Sequence, residues 1–278
     1  MNRNYLKRII EFLVYGVKPK NVRAEITVST KEDSLKGQNV IITGGGRGLG
    51  FNIAEKCVAN GAQILITGRN EETLINSSKK LGGCHYIPFN VTNFDGIHVF
   101  FDECERKFNG PVSCLVNNAG ISLHEGSIEN VSFENFDSQF DTNIKAPYFL
   151  SQEFIRRYKS YKLRKGNILF ISSERGLYCD DQPYGLTKVA INSLVEALGR
   201  RYVNLGLRVN AVAPGVTVSD LTEFTKDGNL YRSSSCGERA YLGEEVAEIV
   251  AFILSDYSGC ISSQIIPCNR GNHLKCDW

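Results

Sequence analysis

From about Lys36 onward the chain alternates short β-branched apolar runs with amphipathic stretches, and no other feature narrows its architecture so far. The runs are NVIIT (39–43), QILIT (63–67), CHYIPF (84–89), VSCLVN (112–117), GNILFIS (166–172), LRVNAV (207–212) and SQIIP (263–267). Helical periodicity falls between them, near 48–60, 70–81, 94–108, 132–159, 183–204 and 243–255. Several runs are apolar at consecutive positions, as strands are when helices cover both faces. The pattern predicts an α/β chain of the doubly wound Rossmann type, with a sheet of about seven parallel strands.

The turn after the first strand carries the first chemistry. TGGGRGLG, Thr43 to Gly50, leaves an apolar strand and opens a helix, which is the setting a phosphate-binding turn requires. Gly44 permits the tight turn, Gly48 lets backbone approach a pyrophosphate, and Gly50 permits close helix-to-strand packing. The helix N-terminus beyond Leu49 then offers N–H groups and a partial positive charge to the anion. The second strand selects the nucleotide. It ends in Gly68, Arg69 and Asn70, with Arg47 within reach and no carboxylate to hold ribose hydroxyls. Two guanidiniums favour a 2′-phosphate, so the expected cofactor is NADP(H) rather than NAD(H).

Composition excludes several other classes. With 32 basic and 30 acidic residues the formal charge is +2, and no basic run marks a nucleic-acid surface. Four scattered histidines lack metal-ligand spacing, so no metal is expected. Nine cysteines without a CxxC pair read as reduced thiols in a cytoplasmic protein. Near the N-terminus, Leu6, Ile9, Ile10, Leu13 and Val17 recur at helical spacing. The run is too short to span a bilayer and is broken by Glu11; packing on the parent domain or a sister subunit is its expected role, ahead of a membrane surface. Residues 1–36 are therefore read as an extension with a short helix and polar linker, and 37–278 as the nucleotide-binding domain. The stretch from Thr217 to Tyr241, rich in Ser, Gly and charge, is read as a lid.

YGLTK places Tyr184 and Lys188 one helical turn apart on a common face. Alone that spacing is uninformative, but it falls in an ordered set. Thr43–Gly50, NNAG at Asn117–Gly120, Asn143 within FDTNIKAPYFL, Ser172-Ser173, YGLTK and NAVAPG at Asn210–Gly215 follow one another in the order found in the short-chain dehydrogenase/reductase family. The chain resembles the classical branch of that family from residue 38 to about 271. The resemblance implies that Asn118, Ala119 and Gly120 line the adenine side of the cofactor, that Pro214 and Gly215 lie beside the nicotinamide, and that the reaction is interconversion of a carbonyl compound and an alcohol. It implies Asn143, Ser173, Tyr184 and Lys188 as the catalytic set, with Ser172 the alternative serine. Ser173 and Tyr184 stand closer together in sequence than is usual in the family, so a shortened loop is expected between them.

A free tyrosine titrates near pH ~10, and bringing Tyr184 to neutrality requires roughly 4 kcal/mol of differential stabilisation. The Lys188 ammonium is expected to supply part of it. Lys188 is also expected, by resemblance, to hold the nicotinamide ribose, and Asn143 to anchor a proton-relay water. Three positions depart from the family pattern. Asn90-Val91 stands for the usual Asp-Val; Thr217 or Ser219 stands for the usual threonine; and Asn269-Arg270-Gly271 stands for the usual Asp-Gly-Gly. The residues expected around the substrate, His124, Glu125, Glu174, Arg175, Tyr178 and Cys179, are polar, favouring a sugar-like or acyl-derived carbonyl substrate. The family commonly forms homodimers and homotetramers. Two other readings stand beside this one: a catalytically idle nucleotide-binding protein whose N-terminal helix recruits a partner, and an epimerase or dehydratase that uses the cofactor transiently.

Overall fold

Side chains alternate across a strand, so Ile41 faces one side of the sheet while Val40 and Ile42 face the other, and all three are wholly buried. Only a strand covered on both faces can do this. In the computed structural model, which describes residues 33–274 except 220, 221 and 223, together with 13, 14, 16 and 21, strand β1 (Asn39–Thr43) lies inside a sheet of seven strands. The others are β2 (Gln63–Gly68), β3 (His85–Pro88), β4 (Cys114–Asn117), β5 (Gly166–Ile171), β6 (Leu207–Pro214) and β7 (Ile265–Cys268). All pairs are parallel and the order is β3-β2-β1-β4-β5-β6-β7. The chain winds outward from β1 to β3, then returns to place β4 beside β1. The carboxyl ends of β1 and β4 therefore flank the point where winding reverses, the place where an open α/β sheet leaves a crevice.

Each face carries its own core. Helices α1 (Gly48–Ala59), α2 (Glu71–Lys80) and a later helix over Gly243–Leu254 cover the Val40 and Ile42 face through Ile53, Leu74 and Val250. The Ile41 face is covered by α3 (Ile97–Phe108), a helix over Ala146–Ser160 and the 20-residue helix over Pro183–Tyr202, with Phe101, Phe154 and Phe170 at its centre.

The single helix expected over 132–159 is interrupted. It consists of α4 (Phe133–Phe140), one π-helical turn (Asp141–Lys145) and α5 (Ala146–Ser160). Pro147, in the first turn of α5, has no N–H for the Asn143 carbonyl four residues back, so the regular ladder cannot close there. The two remaining helices are α6 (Pro183–Tyr202) and α7 (Gly243–Leu254). Strand bounds differ from the sequence reading by one or two residues; β6 runs on to Pro214, and Ser172 lies just past β5.

The stretch read as a lid is tied at its base. Thr217 bridges Tyr241, Tyr231 bridges Arg239, and Arg239 donates to Glu245 at the start of α7 (2.8 Å). Leu230 and Ala240 are buried. The N-terminal helix read at Leu6–Val17 lies outside the described residues, apart from Leu13, Val14 and Gly16.

One ion cluster holds α5 against α3. Arg157 pairs with Glu153 at 2.8 Å, Glu105 at 2.7 Å and Asp102 at 2.8 Å, with the Arg157, Glu153 and Glu105 side chains nearly buried. Burial acts to raise the Glu153 carboxyl, but hydrogen bonds from Arg157 and His98 outweigh it and hold the group below its ordinary value. Removing the guanidinium leaves two nearly buried carboxylates without their cation. Arg157→Ala should destabilise the protein by about 3 kcal/mol in urea unfolding near pH 7. A depressed carboxyl contributes stability above its unfolded value, and the contribution is lost as pH falls through the folded one, so the difference between variant and parent should shrink below about pH 4.

Candidate active site

The crevice at the switch point is built by Thr43. Its hydroxyl oxygen accepts from the backbone N–H groups of Asn118 and Ala119, both at 3.0 Å, and donates to the Val116 carbonyl (3.3 Å). Asn118 Nδ2 returns a bond to the Thr43 carbonyl at 2.9 Å. The last residue of β1 and the first residues after β4 are thus locked together. Above them the glycine turn runs into α1. Gly44 has φ +65°, in the left-handed region, and a Cβ on Gly50 would stand 2.2 Å from the Gly44 carbonyl oxygen.

The α1 N-terminus has no side-chain cap and no acidic residue in its first turn. Its N–H groups and dipole are left to an external anion, so the bare backbone cradle fits a dinucleotide pyrophosphate.

A cleft of about 1500 Å³ extends from this turn along the carboxyl edge of the sheet. Gly44, Arg47, Gly48, Leu49 and Gly50 line one end; Arg69, Asn70, Asn90 and Val91 line the β2–β3 edge. Asn118, Ala119 and Gly120 cross the switch point, Pro214, Gly215 and Thr217 come from the end of β6, and Ser173, Tyr184 and Lys188 line the far part. Arg47 and Arg69 are exposed. Asn70 also caps α2, its Oδ1 accepting from Thr73 N at 2.8 Å. Among the residues expected to meet substrate, His124, Glu174, Arg175 and Tyr178 line the cleft, whereas Glu125 and Cys179 do not. Arg232 and Phe224, from the segment read as a lid, also line it and had no motif to mark them.

The short loop after β5 is held by an ion pair. Arg175 clasps Asp180 through both arms of its guanidinium (Nη2 to Oδ1, 2.6 Å), and Asp180 Oδ1 accepts from Gln182 N at 3.0 Å, just before α6 begins. This clasp compensates for the close sequence spacing and brings Ser173 beside the Tyr184 phenol. The two serines differ in engagement. Ser172 Oγ donates to Asn192 Oδ1 at 2.6 Å, whereas Ser173 Oγ faces Tyr184 and accepts only from Arg175 N at 3.2 Å.

Asn143, 2 % exposed, does not line the cleft. Its Oδ1 accepts from Ile121 N and its Nδ2 donates to Ile121 O, both at 2.8 Å, with a further bond to Thr187 Oγ1 at 3.3 Å. The side chain is thereby committed to bracing the segment after β4 against α6.

The electrostatics differ from the simple pairing that the Tyr184–Lys188 spacing suggests. Lys188 Nζ sits 5.4 Å from the centre of the Tyr184 ring and donates to the Ile171 carbonyl at 2.9 Å. Burial lowers Lys188 to about 8. Burial also raises the Tyr184 phenol above its ordinary value, opposed by the Ser173 hydrogen bond and by the Arg175 charge. The Arg175 charge acts against the burial of Tyr184, while Lys188 lies beneath the ring with one of its N–H groups given to a backbone carbonyl.

The model of the short chain dehydrogenase family matches residues 38–229. The 3-oxoacyl-[acyl-carrier-protein] reductase FabG of Chlamydia pneumoniae is 29% identical over 250 residues, covering 86% of this chain and 98% of that protein. Among solved structures, a short chain dehydrogenase from Burkholderia cenocepacia in complex with NADP is 25% identical with a TM-score of 0.77, covering 87% of this chain and 100% of the other. The 3-ketoacyl-(acyl-carrier-protein) reductase from Brucella melitensis complexed with NADH is 22% identical with a TM-score of 0.79, covering 86% and 99%, and shares the fold.

Two outcomes follow from this geometry. Gly50→Ala forces a methyl group into the Gly44 carbonyl, where only backbone can move; calorimetric titration should find dinucleotide binding lost, and thermal unfolding a destabilisation of about 2 kcal/mol. A lysine lowered from ~10.4 to about 8 weakens the fold at neutral pH, and that cost disappears as pH rises through the interval. The stability of the parent relative to Lys188→Met should therefore rise by about 2.5 kcal/mol between pH 7 and pH 10 in urea unfolding.

Proposed function

The chain belongs to the short-chain dehydrogenase family, and from that premise we propose that it is an NADP-dependent oxidoreductase that interconverts a ketone or aldehyde with an alcohol. One observation carries the reading: a single cleft joins an uncapped helix N-terminus, flanked by Arg47 and Arg69, to neighbouring Ser173 and Tyr184 side chains with Lys188 beneath the ring.

When bound, the nicotinamide dinucleotide supplies or accepts the hydride. The protein's task is to position the carbonyl and move the proton. Backbone N–H groups of the Gly44–Gly50 turn hold the pyrophosphate, and Arg47 and Arg69 pair with the 2′-phosphate. Asn90, Val91, Asn118, Ala119 and Gly120 flank the adenosine, while Pro214, Gly215 and Thr217 flank the nicotinamide. Ser173 Oγ, already directed at the phenol, donates to the substrate oxygen and stabilises its developing charge. Tyr184 Oη gives its proton to that oxygen in reduction and takes it back in oxidation.

Lys188, near 8, is largely protonated at neutral pH, yet it yields a proton at little cost. That suits it to resupply Tyr184 through a relaying water, which the Asn143 carbonyl at the π turn would anchor. Asn143 itself is a positioning residue, since both ends of its amide hold Ile121.

The wider context fits the same reading. Phe133, Phe136, Tyr148 and Phe149 expose apolar surface on α4 and α5, which supports a homodimer or homotetramer formed through these helices. All eight described cysteines are free, consistent with a cytoplasmic protein. Among the described residues no helix is long and apolar enough to cross a membrane.

Tyr184→Phe should lower kcat at least about 1000-fold on any accepted carbonyl substrate and leave NADPH affinity within a few-fold; retained turnover would refute the proton-transfer role. Calorimetry should find NADPH bound more tightly than NADH, and Arg69→Asp should weaken NADPH binding by about 10- to 100-fold while sparing NADH. Equal binding of the two cofactors by the parent protein would refute the arginine argument.

A further inference from the structure

Glu174 follows Ser173 directly, lines the cleft, and is only 7 % exposed. A carboxylate so deeply placed needs hydrogen-bond donors, and the C-terminal segment supplies two. Asn269 Nδ2 donates to Glu174 Oε2 at 3.1 Å and Asn272 Nδ2 donates to the same atom at 3.0 Å.

The orientation of both amides is fixed independently. Asn269 Oδ1 accepts from Gly271 N at 3.1 Å, and Asn272 Oδ1 accepts from Cys236 N at 3.0 Å, so each NH₂ group must turn toward Glu174. This also gives the departure at position 269 a physical reason: an aspartate there could not donate to Glu174 and would set two carboxylates against each other.

The two amides converge on Oε2 and leave the other oxygen. Glu174 Oε1 accepts no hydrogen bond among the described residues, and it is not sealed in the interior. Oε2 lies against Gly215, where a Cβ would stand 3.2 Å from it. The carboxylate is therefore clamped between the ends of β5 and β6, next in sequence to the serine proposed to hold the reacting oxygen, with one acceptor atom still to be satisfied.

We infer that Glu174 Oε1 accepts a hydrogen bond from a hydroxyl on a carbon neighbouring the reacting one, so that the substrate class is polyols and their hydroxy-ketones. A carboxylate is an acceptor only; it satisfies a hydroxyl donor and repels an anionic group at the same place. A simple ketone or a 3-oxoacyl chain brings no hydroxyl there and leaves a mostly buried charge with an unfilled lone pair, which disfavours such substrates. In the oxidative direction one C–H bond and one O–H bond of the polyol break: the hydride passes to NADP⁺, the proton to Tyr184 Oη, and a C=O bond forms. The neighbouring hydroxyl held by Glu174 is chemically unchanged.

This inference rests on the oxidoreductase reading given above, and its test separates the two. NADPH binding is first measured by calorimetry on the parent protein. NADP⁺-dependent oxidation is then followed for xylitol and sorbitol, each against a deoxy counterpart, and for a cyclic vicinal diol against cyclohexanol, with the parent, Glu174→Gln and Glu174→Asp. Glu174→Gln keeps the size of the side chain, but with its oxygen retained by the two asparagines it turns an NH₂ group toward the cleft. The expected result is a diol-to-monool ratio of kcat/KM of about 10 to 100 in the parent, falling to near one in Glu174→Gln and only partly in Glu174→Asp, which keeps the charge.

A ratio near one in the parent, or a preference that survives in Glu174→Gln, overturns the inference and leaves the oxidoreductase reading standing. So does NADPH binding without oxidation of any polyol. If Glu174→Gln weakens NADPH binding and leaves the ratio alone, the carboxylate serves the dinucleotide and the inference fails. Absence of NADPH binding to the folded parent overturns the reading beneath it. Should Glu174→Gln fail to show a cooperative thermal transition, the parent ratio together with Glu174→Asp decides.

Discussion

The Thr43 hydroxyl is the point on which the site depends. A parallel sheet that winds both ways must part its covering chain segments where the direction reverses, and the segments leaving β1 and β4 beyond the last rung of their ladder then need a link of their own. Thr43 provides it by accepting from Asn118 N and Ala119 N while donating to Val116 O. The glycine turn, the segment after β4 and, through Ile121, the Asn143 brace all take their positions from that junction. A valine in place of Thr43 would keep the strand and leave the Ala119 N–H without its acceptor, with Asn118 N–H held by the Val116 carbonyl alone.

Around the far part of the cleft the same logic recurs with charges. Arg175 and Asp180 draw the loop after β5 into a shape that brings Ser173 to Tyr184, and Arg175 then acts on the phenol as a nearby cation. Glu174 faces the other way, into a clamp made by the C-terminal segment. Consecutive residues of opposite charge are thus separated by their partners: one builds the loop, the other turns toward the cleft. The C-terminal segment is thereby a wall of the site as well as the end of the last strand.

The fold and the glycine turn at the end of β1 were both legible because their signals are local. Consecutive apolar residues in NVIIT and QILIT require burial on two faces, and TGGGRGLG between strand and helix requires backbone that other residues cannot adopt. The break in the helix over 132–159 was also written locally, in Pro147, but it shows only when the missing N–H is matched to the Asn143 carbonyl. Glu125 and Cys179 were misplaced for the opposite reason: proximity in sequence to NNAG or Ser173 does not fix which way a loop residue turns, and Glu125 turns to accept from Gln139.

The sequence by itself determined the α/β winding, the glycine turn and the order of Asn143, Ser173, Tyr184 and Lys188, since each rests on periodicity or spacing within a few residues. Tertiary structure alone decided what those groups experience. Lys188 spends its ammonium on the Ile171 carbonyl, Ser172 is tied to Asn192 while Ser173 faces the phenol, and Glu174 meets Asn269 and Asn272 across almost a hundred positions of chain. Burial and hydrogen-bond partnership depend on which segments the sheet brings together, and no local pattern encodes a contact whose two halves lie on different strands.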